Sequence, residues 1–206
     1  MVNGLNTEDK ILSAAKEVFI SKGFDGARMQ EISDIAQINK ALLHYYFRSK
    51  DKLFEAVFED TLHQIGPIIL DFVRDPIPIE VKIWRFVDNY IEIIKKNPKL
   101  PLFILNEIRV NPVRLLKYFN IEVLLDVQTL QDQLDLEVER GNYTHVDVKH
   151  FIVNVISLTI FPFIGKPIMQ KTLQIEDDEW GKFLDERKKI IPQTIMSWIK
   201  FDQKVK

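Results

Sequence analysis

The residues best suited to chemistry sit close together. In "INKALLHYYFRSKDKLF", Ile38 to Phe54, the side chains of Lys40, His44, Tyr45 and Lys50 stand beside Tyr46, Phe47, Arg48 and Lys52, with no glycine or proline among them. Phenol hydroxyls and imidazole donate to phosphate oxygens, a cation reads guanine N7 and O6, and small apolar groups touch thymine methyls. That is recognition chemistry rather than catalysis. Over residues 37–52 four cations face Asp51 alone, a local +3, although the whole chain carries 28 Lys/Arg against 30 Asp/Glu and a net charge of −2. Screening removes most of the far field within about 10 Å, so a local surplus is enough to meet a phosphate backbone.

Other chemistries have less to build on. The absence of cysteine excludes disulfides, thiolate catalysis and cysteine-bound zinc. Among the four histidines, His44, His63, His145 and His150, no i, i+4 pair flanks a carboxylate, and "HVDVKH" splits two of them around a helix. Seven glycines leave neither a glycine-rich phosphate loop nor a serine elbow. The expectation is a protein that is not an enzyme and holds no metal or cofactor. "MVNGLNTEDK" has no apolar run behind a positive end, and the 14-residue "FIVNVISLTIFPFI" carries Asn154, Ser157, Thr159 and Pro162. That stretch is too short and too polar to cross a bilayer, so a cytoplasmic protein without a membrane partner is expected.

The elements that must position these groups read as helices, and the chain as all-α. Ile11, Leu12, Ala15, Val18 and Phe19 make one apolar stripe, with Asn6 or Thr7 as cap and Gly23 as stop. A second short helix is predicted over Met29–Ala36 and a third from about Asn39 to Phe47. Ser49 then caps a longer helix facing inward through Leu53, Phe54, Val57, Phe58 and Leu62, bent or ended near Gly66-Pro67. Beyond, "PIPIEVKIWRFVDNYIEIIKKNP" is apolar nearly all round and belongs at a bundle's centre. Further helices are predicted over "LPLFILNEIRV", "PVRLLKYF", Ile121–Arg140, Val146–Ile164 and Asp177–Ile199, the last kinked at Pro192. The division is a helix-turn-helix head over residues 1–50 and a larger helical body over 51–206.

Two short helices joined by a tight turn match the motif that sets its second helix into the major groove. On that helix Ile38, Leu43 and Phe47 fall on the packing side, leaving Lys40, Ala41, Leu42, His44 and Tyr45 outward or flanking. Tyr46 and Phe47 are assigned to the core, whereas for Tyr45 and His44 the residues leave core and contact roles open. Lys50 sits in the first turn of the next helix, where free N–H groups and the dipole also attract phosphate.

Residues 7–58, "TEDKILSAAKEVFISKGFDGARMQEISDIAQINKALLHYYFRSKDKLFEAVF", resemble the DNA-binding head of TetR-type (tetracycline-repressor-like) regulators. The matching landmarks include Ile11-Leu12, Ala14-Ala15, Phe19, Gly23-Phe24, Met29, Ile32, Ala36, Lys40, Leu43, Tyr46-Phe47, Ser49-Lys50 and Leu53-Phe54. The resemblance implies a homodimeric repressor on a near-palindromic double-stranded DNA operator, released when a small-molecule effector enters the helical body. By the same resemblance Lys40, Ala41 and Tyr45 would face base edges, His44 and Lys50 would grip phosphates, and Gln30 could also reach a base. Arg28 stands where the family often has a threonine that contacts phosphate. The departures are Gln37 for the usual glycine before the recognition helix, Asn39 for serine, Leu42 for a small hydroxyl residue and His44 for tyrosine. A side chain at position 37 either adopts left-handed geometry, at about 1 kcal/mol, or forces a different turn.

A two-fold operator requires a two-fold protein. The expected self-contact uses Val148, Phe151, Ile152, Val155 and Ile156 with Ile191, Ile195, Trp198 and Ile199, although such stripes also serve as one subunit's core. Effector walls are predicted at Phe72, Trp84, Tyr90, Phe103, Tyr118 and Phe161, with Asn106 and Glu107 as polar anchors. Those walls favour a mostly apolar ligand. The competing reading is a helical ligand-sensing module that binds no DNA.

Overall fold

The structure, a computed structural model, describes residues 6–113 and 126–200. The described residues form ten α-helices and no strand. They divide into two compact units, one of residues 6–64 with 102–113 and one of 65–101 with 126–200.

In the first unit, α1 (Thr7–Gly26) begins where the Asn6 side chain accepts from the Asp9 N–H at 2.8 Å, satisfying one of the free amides of its first turn. It buries Ile11, Ala14, Ala15, Val18 and Phe19. Gly23 breaks the helix with φ 70°, ψ 177°, and a further turn follows to Gly26. α2 (Met29–Ile35) packs on α1, and α3 (Lys40–Tyr46) packs on α2. α4 (Lys50–Arg74) starts with Ser49 Oγ accepting from the Lys52 N–H at 3.2 Å. Its first turns bury Leu53, Phe54, Val57 and Phe58. With α6 (Leu100–Val110), these residues close an aromatic core. Phe54 lies edge-on to Phe19 at 5.0 Å and to Phe24 at 5.2 Å, and Phe103 meets Phe54 and Phe58 at 5.7 and 5.8 Å. Each such pair contributes about 0.5–1.5 kcal/mol beyond area burial.

In the second unit, α5 (Ile79–Lys96) packs against α8 (Val148–Ile164) and α10 (Trp180–Lys200), while α8 also meets α7 (Val127–Glu139) and α9 (Lys166–Leu173). The expectation that α5 is apolar all round is corrected: it buries Ile79, Ile83, Phe86, Val87, Tyr90, Ile91 and Ile94 but exposes Val81, Arg85, Asp88 and Asn89. Its polar edge joins α10 through Lys188, whose Nζ lies 2.8 Å from Asp88 and 2.6 Å from Glu92. Lys95 bridges Asp185 alongside. Exposed pairs of this kind contribute about 0–1 kcal/mol each. Most of the cohesion is therefore the apolar face.

Three prolines, at 67, 162 and 192, sit inside helices that continue through them, so Gly66-Pro67 does not end α4. Pro162 removes the N–H that the Leu158 carbonyl would accept, and Arg187 Nη2 from α10 donates to that carbonyl instead at 3.1 Å. The helix predicted over "PVRLLKYF" lies largely outside the described residues, as does the start of the one predicted from Ile121. Among the described residues no single helix is long and apolar enough to cross a membrane. α8 and α9 pass that test only as a pair bent by 76°.

Candidate nucleic-acid interface

The turn between α2 and α3 is built on Gln37 at φ 55°. The side chain there takes the left-handed conformation rather than a different turn, at a cost of about 1–2 kcal/mol. Backbone bonds close it, Gln37 N–H donating to Asp34 O at 3.2 Å and Ile38 N–H to Ser33 O at 3.0 Å. Asn39 Oδ1 then accepts from the Leu42 N–H at 2.7 Å and starts α3. Leu43 is fully buried and Phe47 nearly so, as are Ile32 and Ala36 at the facing α2. Those inward anchors, four residues apart, decide what faces out.

Lys40, Ala41, His44 and Tyr45 are all exposed, Leu42 is half-buried, and Tyr45 is 81% exposed. Both open roles thus resolve outward: neither Tyr45 nor His44 enters the core. Tyr46, expected in the core, is corrected to 39% exposed, its ring edge-on to Tyr45 at 5.6 Å. Sequence reasoning missed this residue. The signal was present, since Tyr46 stands about 100° round the helix from the inward Phe47. Arg48 is exposed just beyond α3.

On α2, Arg28 is exposed at the N-cap position without a side-chain capping bond. Gln30 is exposed too, but its Nε2 donates to Asp34 Oδ1 at 2.8 Å, so it reaches outward only by exchanging that partner. Lys50 is tethered. Its Nζ donates to the carbonyls of Ala27 at 3.1 Å and Asp25 at 3.5 Å and lies 4.5 Å over the Phe24 ring. The lysine thus holds the start of α4 to the end of α1. This structural task stands beside the phosphate contact expected of it.

An exposed, capped short helix, locked by two buried anchors and carrying rings and cations outward, is the geometry of a groove reader. Residues 11–57 match the family model described as bacterial regulatory proteins, tetR family. These residues form a TetR-family head. Over 53 residues the chain is 49% identical to the HTH-type transcriptional repressor NicS of Pseudomonas putida, covering 26% of this chain and 25% of NicS. A longer match, 27% identical over 146 residues, joins it to the HTH-type transcriptional regulator RutR of Escherichia coli O157:H7, covering 69% of this chain and 66% of RutR. The chain thus spans a quarter of NicS and just under two thirds of RutR in these matches. The fold extends further. The fatty acid degradation regulator FadR of Bacillus halodurans superposes with a TM-score of 0.62 over 94% of this chain and 96% of its own, at 16% identity.

The residues predicted for the effector walls scatter. Phe72 and Tyr90 belong to one buried ring cluster, Phe86 lying 4.8 Å from Phe72 and 5.6 Å from Tyr90, with Phe151 stacked on Phe72 at 5.9 Å. Burial pushes the Tyr90 hydroxyl far above the usual phenol range. Trp84 is half-buried, and Phe161, predicted as a wall, is instead 59% exposed. Phe103, Asn106 and Glu107 belong to the first unit, where Phe103 and Glu107 are buried and Asn106 is half-buried. Tyr118 lies outside the described residues.

The stripe predicted to meet a second copy needs a similar correction. Val148, Phe151, Val155, Ile191, Ile195 and Ile199 are buried inside the second unit's own core, Ile152 is half-buried, and of the nine Ile156 and Trp198 are open, each at 37%. The cause is the packing of α8 on α10 within one chain. Val153 at 62% exposure and Ile190 at 44% join Ile156 and Trp198 on the outward face of the same helices.

Proposed function

We propose that the chain is a ligand-responsive transcriptional regulator, a dimeric repressor whose TetR-type head binds a near-palindromic duplex operator. One observation carries the reading: α3 turns Lys40, Ala41, His44 and Tyr45 outward while Leu43 and Phe47 lock it to the head. Lys40, Ala41 and Tyr45 meet base edges. His44, Arg28 and the free amides at the start of α4 meet phosphates, with Leu42 on a sugar or methyl and Gln30 as a second reader from α2. A second copy docks on the outward face of α8 and α10, through Val153, Ile156, Ile190 and Trp198. Two heads then address half-sites one helical turn, about 34 Å, apart. A small, mostly apolar effector held among the body helices shifts the population away from the spacing that fits. Regulation, not catalysis, is the activity, and it takes place in the cytoplasm with the DNA.

The test is selection of duplexes from a random pool by the full chain at moderate salt. A recovered palindrome supports the proposal. Salt-labile binding with no enriched sequence overturns it in favour of a ligand-sensing module that reads no operator.

A further inference from the structure

We propose that the groove between the end of α1 and α6 is a binding site for a small amphipathic carboxylate, distinct from an effector pocket in the second unit. The groove measures about 490 Å³ and lies wholly within the first unit. Small-molecule sites run from roughly 300 to 1,000 Å³, so it has room for a medium-chain acid. Ile20 on α1 and Leu102 and Leu105 on α6 line it, the two leucines 51% and 37% exposed. Phe19 and Phe103 contribute buried rings beneath.

The polar end of the groove has a definite sign. Leu102, Leu105, Asn106 and Arg109 follow helical spacing on one side of α6, so the apolar pair is continued one turn on by two donors. Arg109 Nη2 reaches only Asn106 Oδ1 at 3.4 Å, and among the described residues no carboxylate lies within ion-pairing distance of its guanidinium. Asn106 Nδ2 stays beside it as a second donor, over the backbone of Gly23. The approach is close: a Cβ built on Gly23 would fall 3.5 Å from Nδ2, ordinary van der Waals contact. Lys22, which also lines the groove, is already neutralised by Glu31 at 2.6 Å. Among the described residues the groove therefore offers the Arg109 charge without an ion-pair partner, behind an apolar trough. A single carboxylate on a short acyl or aryl chain matches both features.

The proposal does not depend on operator binding, and a chain that read no DNA would bind the same ligand here. The probe is sodium decanoate, kept below its micelle concentration and titrated calorimetrically into the full chain. Amide hydrogen exchange locates where it binds, and 1-decanol serves as the uncharged comparison. The expected result is slowed exchange over residues 19–23 and 102–110. Decanoate affinity falls tenfold or more in Leu105→Asp and in Arg109→Ala, while 1-decanol binding falls only in Leu105→Asp. Both positions are substantially exposed, so both variants keep the fold, as circular dichroism verifies. Protection confined to residues of the second unit, decanoate affinity unchanged by both substitutions, or no decanoate binding at all would overturn the assignment.

Discussion

Gly23 and Gln37 both hold positive φ in the head, and the two residues behave in opposite ways. At φ 70°, ψ 177°, Gly23 occupies a region that only glycine enters freely. Gly23→Ala should therefore destabilise the head by about 1–3 kcal/mol even though its Cβ meets no closer atom than 3.5 Å. Gln37→Gly should stabilise by on the order of 0.5–1 kcal/mol, because relief of left-handed strain exceeds glycine's extra unfolded-state entropy. Urea unfolding of both variants checks the pair. In the second unit, Lys82 is 2% exposed, with Nζ donating to the Val73 carbonyl at 3.0 Å. Burial pushes its pKa down to about 8, partly opposed by Asp75. Between about pH 8 and the ordinary lysine value near 10.4, the unfolded chain binds the proton that the folded chain has lost, so stability rises with pH across that window. Relative to Lys82→Met, the wild type should gain stability from pH 7 to pH 9.5. A gap that stays constant would contradict this origin.

At the scale of the element, capping and periodicity made most boundaries legible. Asn6, Asn39 and Ser49 cap α1, α3 and α4 as their side chains suggest, and Gly141 at φ 74° closes the turn after α7 as expected. Pro67 was a misleading signal for a helix end. A proline's missing N–H is a local fact, but whether it stops a helix depends on who takes the orphaned carbonyl, and at Pro162 that donor, Arg187, sits 29 residues from Leu158 in sequence. Arg187→Leu should cost about 1–3 kcal/mol by leaving that carbonyl without a donor. The cost should shrink in a Pro162→Ala background, where residue 162 regains an N–H for it. Equal costs in the two backgrounds, measured by denaturant unfolding, would show that Arg187 acts through something else.

For the whole molecule, residue type told where apolar stripes lie but not which partner each stripe meets. Phe151 and Ile191 read as dimer contact in preference to core, and α8–α10 packing inside one chain makes them core. The effector walls dispersed for the same reason: an aromatic such as Phe72 serves a packed cluster as readily as a cavity. Head residues were far more legible, because two anchors, Leu43 and Phe47, settle the direction of a seven-residue helix. Val153→Asp should halve the sedimenting mass while leaving helix content unchanged, since Val153 is 62% exposed on the proposed docking face. A dimer that survives the change would move the interface elsewhere. The central claim is that the exposed face of α3 reads DNA sequence. The most direct measurement is fluorescence anisotropy of wild type and Tyr45→Ala on the selected operator and a scrambled duplex, across a salt series. The account predicts that Tyr45→Ala lowers the preference for the operator about tenfold or more with the salt slope unchanged. Equal binding of both duplexes by the wild type, or a preference untouched by Tyr45→Ala, would contradict it.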